Sequence, residues 1–247
     1  ISADPFTNWS SVVVGSPVSF SGGASTTLSV DGSVSQSYSD AAATLVLGAN
    51  STFTSIGASN GSGSVAFNSA NGDTLQAGFS GTTTVALNKA QTVVGAFANP
   101  ASYGFEYQTF GAWGAYGNST APAYAVSVGN PSPATAIPAT GALTFTGGTN
   151  GYYTDLNKFT YVTNANMVAN VTFDSRTVAF STTNTSVIGG PNGQQLSVPS
   201  LNMTGTLSYA SGANAISGSV STANGMSGSA NGKFYGPSLN EIGGTYA

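Results

Sequence analysis

The side chains that most often perform acid–base, nucleophilic or metal-centred chemistry are sparse in this chain. Its 247 residues include no histidine, no cysteine, eight acidic residues and four basic residues. Histidine is the most frequent general base, and histidine and cysteine are the usual ligands of zinc. The usual general base and the usual soft metal ligands are therefore missing.

Carboxylates remain as groups that could act as acid and base, and a pair of them performs glycoside hydrolysis. The eight acidic residues are, however, isolated along the sequence, and most lie in turn sequences. They are Asp4, Asp31, Asp40, Asp73, Glu106, Asp155, Asp174 and Glu241. Residues 61–63 are Gly-rich but lack the strand-loop-helix setting of a phosphate site, and no Asp-x-Asp run indicates a calcium loop. We predict that the protein is not an enzyme and has no metal site.

Aromatic side chains offer a different chemistry, which is non-covalent binding. Tyr103, Phe105, Tyr107, Phe110, Trp113, Tyr116 and Tyr124 crowd one segment, and Tyr152, Tyr153, Phe159 and Tyr161 crowd another. Alternate members can fill a core, which is our interpretation of Phe105, Phe110 and Trp113. Adjacent Tyr152 and Tyr153 cannot both face inward, so at least one ring is available to a partner or a flat apolar ligand. The predicted ligand-binding residues are Tyr152, Tyr153, Tyr116, Trp113 and Tyr161.

Composition indicates that β-strands position these side chains. Charged residues make up 5% of the chain, against roughly 25% in an ordinary soluble domain. Apolar residues make up 40% and aromatic residues 11%, which is ample for a core and unlike a disordered chain. Ser, Thr, Asn and Gly occupy the positions that Lys and Glu usually fill. The chain is therefore predicted to be folded and rich in strands.

The same composition excludes several functions. Nucleic-acid binding needs a basic footprint, and four scattered cations on a chain of net charge −4 do not supply one. A transmembrane helix needs about twenty consecutive apolar residues, and the longest apolar runs here are a few residues. The start at Ile1 instead of Met leads us to expect an exported protein from which a targeting segment has been removed.

Short alternating segments predict an all-β fold in both halves of the chain. In the first hundred residues they include 44–47, 64–67 and 74–79, with Leu75, Ala77 and Phe79 on one face and a hairpin turn at residues 71–73. A proline cluster at residues 122–138 marks a long connection or an irregular edge.

Beyond that cluster the strand signals become regular. Residues 147–151 read as a Gly-rich turn before Tyr152, and further turns are predicted at 174–176 and 211–214. Seven or eight strands at this spacing suggest a closed meander.

The last sixteen residues, 232–247, read GKFYGPSLNEIGGTYA. They resemble the closing strand of the β-barrels in transferrin-binding protein B and related bacterial surface lipoproteins and secreted haem-capturing proteins. Residues 107–113 resemble the first barrel strand of that family and residues 137–147 the next one; the match extends over roughly residues 105–247. One departure is Leu239, where relatives usually have Ala.

The closing motif also has a physical interpretation of its own. Phe234 and Tyr235 should face opposite sides of a strand, and residues 236–237 should end its pairing. Glu241 should meet backbone N–H groups or Lys233, and residues 243–244 should allow close backbone approach.

The resemblance implies an eight-stranded antiparallel β-barrel at residues 103–247, preceded by a smaller, handle-like β-rich domain at residues 1–102. It implies a non-catalytic binding protein, secreted or on the outer-membrane surface, that captures a nutrient for an outer-membrane transporter. The ligand would be haem, an iron-carrying host or partner protein, or another small apolar molecule. No cofactor is required, but haem is one candidate, with iron held by a Tyr or by Met167, Met203 or Met226 because His is missing.

A structural surface protein is the alternative. A coat or filament subunit or an adhesin would use the low-charge surface for self-association, with contacts at exposed strand edges.

Overall fold

The structure is a computed structural model that describes residues 6–30, 33–49, 51–78, 81–116, 121–155, 160–189 and 194–247. Within these residues, strands dominate. Helical structure includes one turn of α-helix, α1 (Pro100–Tyr103), and short 3-10 turns at Trp9–Ser11, Ser69–Asn71, Ala134–Ala136 and Pro199–Leu201. None of the helices in these ranges has the length and hydrophobicity needed to span a lipid bilayer. The predicted all-β class is confirmed.

The first sheet has nine antiparallel strands in the order β4-β3-β2-β1-β9-β8-β7-β6-β5. They are β1 (Pro17–Val30), β2 (Ser33–Leu47), β3 (Phe53–Asn60), β4 (Ser64–Asn68), β5 (Thr74–Gly78), β6 (Thr83–Leu87), β7 (Val93–Ala98), β8 (Gln108–Ala115) and β9 (Ala123–Gly129). Its buried core includes Trp9, Phe20, Phe53, Phe67, Phe97 and Trp113.

The predicted hairpin at residues 71–73 is wrong. Strands β4 and β5 follow each other in sequence but lie at opposite edges of the sheet. The connection between them contains a left-handed Gly72 at φ 91°, and Asp73 accepts hydrogen bonds from the backbone N–H groups of Asn68 at 2.8 Å and Lys89 at 2.7 Å. This short connection joins the two edges and curls the sheet into a nearly closed barrel. Phe79, predicted to share a face with Leu75, lies outside the described residues.

The second sheet has eight antiparallel strands in the order β10-β11-β12-β14-β15-β16-β17, with β13 also paired to β12. They are β10 (Ala142–Thr154), β11 (Thr160–Thr172), β12 (Thr177–Gly189), β13 (Gln194–Ser197), β14 (Met203–Tyr209), β15 (Ile216–Thr222), β16 (Ser227–Tyr235) and β17 (Glu241–Tyr246). This sheet is the predicted eight-stranded C-terminal barrel, and it too is nearly closed.

The turns predicted at residues 174–176 and 211–214 connect β11 to β12 and β14 to β15. The Gly-rich turn predicted at residues 147–151 is not formed. Strand β10 continues through it, with Gly147 opposite Met167 and Gly151 opposite Thr163. Glycine is used here for space: a Cβ on Gly148 would lie 2.9 Å from the Tyr103 ring, and one on Gly151 would lie 2.9 Å from the Tyr246 hydroxyl.

The two sheets divide between β9 and β10. Strands β8 and β9, which fall on the barrel side of the predicted boundary at residue 102, pair with β7 and β1 in the first sheet. Residues 107–113, which resemble the first barrel strand of the family, therefore complete the first sheet. The assignment depends on β9, which pairs with the distant strand β1, as in Ala24 opposite Val126; local alternation does not reveal such a partner.

The closing motif joins the two sheets. Phe234 packs in the second core, whereas Tyr235 on the opposite face donates a hydrogen bond to the Ser127 carbonyl of β9 at 2.9 Å, so the predicted opposite orientations are confirmed. Both side chains are fully buried. Backbone hydrogen bonds add to this junction between the two sheets. The N–H of Ser132 donates to the carbonyl of Phe234, and the N–H of Gly236 donates to the carbonyl of Asn130, each at 2.8 Å.

Candidate ligand-binding cavity

An open cavity of about 350 Å³ lies between the interior of the second sheet and the segment that precedes β8. Inward positions of β10, β11, β12, β14 and β15 supply its apolar wall: Phe145, Met167, Val178, Phe180, Leu207 and Ile216. These positions face inward because side chains alternate along each strand, as in Val178 and Phe180 of β12. Ligand pockets occupy roughly 300–1,000 Å³, so this volume suits a small molecule.

Three aromatic rings, from α1, the segment after it and β8, form the wall of the cavity opposite these apolar side chains. Tyr103 and Phe105 stack at 5.3 Å between ring centroids and an interplanar angle of 8°, and Phe110 meets them edge-on at 5.6 and 5.9 Å. All three line the cavity and are partly buried. We call Tyr103, Phe105 and Phe110 the aromatic wall.

The chain between α1 and β8 is fixed by hydrogen bonds that place the aromatic wall. Gly104 ends α1 in the left-handed region at φ 71°, and the N–H of Phe105 donates to the Pro100 carbonyl at 2.9 Å. The backbone N–H of Trp9 donates to the Glu106 carbonyl at 2.8 Å, and its indole N–H donates to the Gln108 carbonyl at 2.7 Å. Pro100 thus holds the α1 end of this stretch, and Trp9 holds the β8 end against the first core.

One end of the cavity is acidic. Glu241 accepts hydrogen bonds from the backbone N–H groups of Glu106 and of Tyr107, the latter at 3.3 Å. Of the two partners that the sequence predicted for Glu241, the structure shows the backbone N–H groups, since Lys233 lies 3.5 Å from Asp40 instead. Burial raises the pKa of Glu241, and the nearby Glu106 raises it further, against the lowering effect of the backbone donors. Two of the carboxylates that are isolated in sequence, those of Glu106 and Glu241, therefore lie near each other here.

Gln108 lies beside this acidic end and is 3% exposed. Its Nε2 donates to the Ile242 carbonyl at 2.9 Å, while its Oε1 is buried without a hydrogen-bond partner. The Oε1 atom sits against the backbone of Gly243, where a Cβ would approach it to 1.8 Å.

Polar side chains close the gap between β10 and β17, the two edge strands of the second sheet. The Tyr246 hydroxyl of β17 hydrogen-bonds with Thr149 of β10 and Thr163 of β11, and burial raises its pKa. On β10, Asn150 donates to the Tyr103 hydroxyl at 3.4 Å and accepts from Asn164 at 2.8 Å. The cavity therefore lies at the seam of the barrel, where the first sheet covers the opening.

The sequence-predicted binding residues do not line this cavity. Trp113 is buried in the first core, stacked 5.2 Å from Tyr124, and Tyr116 is 58% exposed at the end of β8. Tyr153 and Tyr161 face each other across β10 and β11 at 6.3 Å between centroids. Tyr152 is partly buried, and burial raises its pKa to about 12. Of the five, the structure brings together only the pair Tyr153 and Tyr161 and their neighbour Tyr152.

The cavity residues that sequence reasoning did not select include the aromatic wall. Its members belong to the aromatic cluster seen in the sequence, but Phe105 and Phe110 were assigned to a core. The signal that could have separated them is the break at Gly104, because the rings on either side of a chain reversal can leave the strand pattern.

Potential iron ligands are dispersed. Within the described residues, no group of three His, Cys, Asp or Glu could hold a metal ion. Met167 lines the cavity, whereas Met203 is buried in β14 and Met226 is 42% exposed. Tyr103, Met167 and Tyr246 are the lining residues with a side-chain atom that could bind haem iron axially.

No protein-family model and no curated protein matches this chain. Several solved structures are similar to it. A variant of transferrin-binding protein B from Haemophilus parasuis Hp5 has 10% identity and a TM-score of 0.46, over 94% of this chain and 73% of its own. The haemoglobin receptor HpuA from Kingella denitrificans has 17% identity and a TM-score of 0.43, over 96% and 83%. Transferrin-binding protein B from serogroup B Neisseria meningitidis has 11% identity and a TM-score of 0.41, over 94% and 73%. Transferrin-binding protein B is also the family that residues 232–247 resemble.

Proposed function

We propose that this chain is a non-catalytic binding protein, exported to the cell surface or secreted, that captures a nutrient ligand and passes it to an outer-membrane transporter. The observation that carries the proposal is the cavity between the two sheets. It combines an apolar interior with a few polar groups at one end, which is the usual composition of a small-molecule site. Export and the transporter follow from the sequence resemblance.

Catalysis is disfavoured by how the acidic end is built. Glu241 is the better buried of the two carboxylates, and both of its oxygens accept backbone hydrogen bonds. A carboxylate engaged in this way positions the chain and is poorly placed to remove a proton from a substrate.

Among the candidate ligands, a small apolar molecule fits the cavity best. The volume of the cavity lies at the lower end of the range for ligand pockets. Haem would have to use Tyr103, Met167 or Tyr246 as its iron ligand. The Tyr103 hydroxyl accepts a hydrogen bond from Asn150 at 3.4 Å, and the Tyr246 hydroxyl is already hydrogen-bonded to two threonines. An iron-carrying partner protein would instead contact the outer surface.

The first experiment is an absorption spectrum and a native mass spectrum of the purified protein, before and after titration with haem. A co-purifying molecule, or a saturable haem band, would support the proposal and identify the ligand class. A protein that carries no molecule, takes up no haem and also fails to retain transferrin or haemoglobin on a sensor surface would refute it.

Self-association is the second candidate, and one observation favours it. Strand β10 is an edge of the second sheet, and its first residues, Ala142 to Thr144, are exposed, with Leu143 at 42%. No residue of β10 carries a charge that would block pairing with another edge. Sedimentation over a hundredfold concentration range would show growing assemblies, and Leu143→Lys would reverse them; a constant monomer would exclude this function.

A further inference from the structure

We infer that the cavity recognises an organic cation, in which an alkylated ammonium group is attached to an apolar body. This inference rests on the proposed binding function and specifies the chemistry of its ligand. Two features carry it: the aromatic wall and the acidic end of the cavity.

The aromatic wall provides the faces that an alkylated ammonium prefers. The ring quadrupole attracts a cation, and clustered aromatic rings are the common means of recognising quaternary ammonium groups. Tyr103, Phe105 and Phe110 contact one another at 5.3 to 5.9 Å between centroids, and all three line the cavity. Their positions are fixed by backbone hydrogen bonds to Trp9 and Pro100, so the wall is pre-organised.

The charge at the cavity has one sign. Glu106 and Glu241 line it, and no Lys or Arg is among the described residues that do. Glu106 follows directly after Phe105 of the aromatic wall and is exposed, so its carboxylate can meet a cation without disturbing the fold. An anionic head group, such as a fatty-acid carboxylate or a haem propionate, would meet two negative charges and no compensating cation.

The opposite half of the cavity defines the rest of the ligand. Phe145, Phe180 and Leu207 belong to the apolar interior of the barrel, so the part of the ligand remote from the ammonium is hydrocarbon or aromatic. Burying it provides the bulk of the affinity, whereas the aromatic wall and the carboxylates select the head group.

The test compares three probes of similar chain length and different head group: octyltrimethylammonium, 1-octanol and octanoate, each titrated into the full chain by calorimetry. We expect octyltrimethylammonium to bind at least about tenfold more tightly than 1-octanol, because its ammonium group gains a desolvated cation–π contact with the aromatic wall. Octanoate is expected to bind most weakly.

Two variants assign the preference to this site. Glu106→Gln should weaken octyltrimethylammonium binding several-fold and leave 1-octanol binding unchanged, and Asp40→Asn, which removes a carboxylate that does not line the cavity, is its matched control. Phe110→Leu should remove most of the head-group preference, with Tyr116→Leu as the control at an exposed ring. If Phe110→Leu does not fold, Glu106→Gln and the probe series still decide the question.

The outcomes separate the inference from the function on which it rests. Equal binding of octyltrimethylammonium and 1-octanol, or tighter binding of octanoate, would overturn the cation assignment but keep the cavity as a binding site. If none of the three probes binds while haem or a co-purified molecule does, the inference fails and the binding function stands. If nothing binds in either experiment, both are wrong.

Discussion

At the scale of single residues, Gly243 shows how closely the second sheet approaches the first. A Cβ at this position would lie 1.8 Å from Gln108 Oε1 and 2.6 Å from Ser127 Oγ. Both of these side chains are buried and come from the first sheet. The sequence predicted close backbone approach at residues 243–244; at Gly244 a Cβ would lie 2.3 Å from the backbone carbonyl oxygen of Asn231, whereas at Gly243 the close neighbours are side chains.

We expect Gly243→Ala to lower the free energy of unfolding by about 1–3 kcal/mol, because the Gln108 side chain would have to move and give up its hydrogen bond to the Ile242 carbonyl. Chemical denaturation would measure the loss. Gly114→Ala in β8 is the control, since its Cβ would find its nearest neighbour at 3.7 Å. Shortening the obstructing side chain in Gly243→Ala/Gln108→Ala should recover part of the stability; equal stability of Gly243→Ala and the control would contradict the steric explanation.

Tyr152 makes stability depend on pH in the alkaline range. Its pKa is raised from 10.0 to about 12 by burial, so the folded state retains the phenol proton that the unfolded state loses. This contribution is fully present below pH 10.0 and is lost as the pH rises towards about 12. Over this window, the free energy of unfolding of Tyr152→Phe should therefore fall by about 1–3 kcal/mol less than that of the wild type. Urea denaturation across the window tests this, with the exposed Tyr116→Phe as background; parallel curves for the two variants would refute it.

The candidate site could be predicted from the sequence only in part. The aromatic segment around residues 103–110 was evident, as was a role for Glu241 at a seam. What could not be seen is that Glu106 and Glu241, 135 residues apart, meet at one end of a cavity. That contact depends on how the two sheets pack against each other, and local sequence patterns do not predict such packing.

At the scale of elements, strand β10 shows why a turn was predicted in the second half of the chain where the structure has a continuous strand. Five residues that read as a turn, 147–151, continue a thirteen-residue strand. Glycine clusters usually mark turns, but here Gly148 and Gly151 leave space for Tyr103 and Tyr246. Strands and the turns at 174–176 and 211–214 were predictable because both depend on adjacent residues, whereas these glycines depend on rings distant in sequence.

The connection between β4 and β5 is held by one carboxylate, which provides a test at this scale. Asp73→Ala would leave the N–H groups of Asn68 and Lys89 without their acceptor. We expect a loss of about 2–3 kcal/mol, because hydrogen bonds to a charged group are stronger than neutral ones. The control is Asp40→Ala, whose carboxylate is 93% exposed and pairs with Lys233; exposed pairs contribute about 0–1 kcal/mol. Similar losses in both variants would show that the connection does not organise the first sheet.

At the scale of the whole molecule, the two sheets are predicted to unfold as one unit. The junction buries Tyr235 completely and includes backbone hydrogen bonds from Ser132 and Gly236. The side chain of Asn214 strengthens it by donating to the carbonyls of Ser132 at 2.7 Å and Phe234 at 2.9 Å. Neither sheet can lose its structure without exposing part of the other.

Calorimetry should accordingly show a single transition for the wild type, with equal calorimetric and van't Hoff enthalpies. Glu241→Ala removes the acceptor of the backbone N–H groups of Glu106 and Tyr107. We expect this variant to lower the free energy of unfolding by about 1–3 kcal/mol and to broaden or split the transition. Glu106→Ala, at an exposed carboxylate, should leave a single transition. Two separate transitions in the wild type would mean that the sheets are independent domains.

The junction also determines the order in which the molecule can fold. Most strand pairs of the second sheet join neighbours in sequence, such as β14 with β15 and β15 with β16, whereas the contact of Glu241 with Glu106 spans 135 residues. Closing a long loop costs entropy before any contact compensates for it, so non-local pairing is slow. The meander is expected to form early and the junction late. A refolding chain would then acquire its ligand-binding competence in the slowest kinetic phase, after its strand content is already native-like.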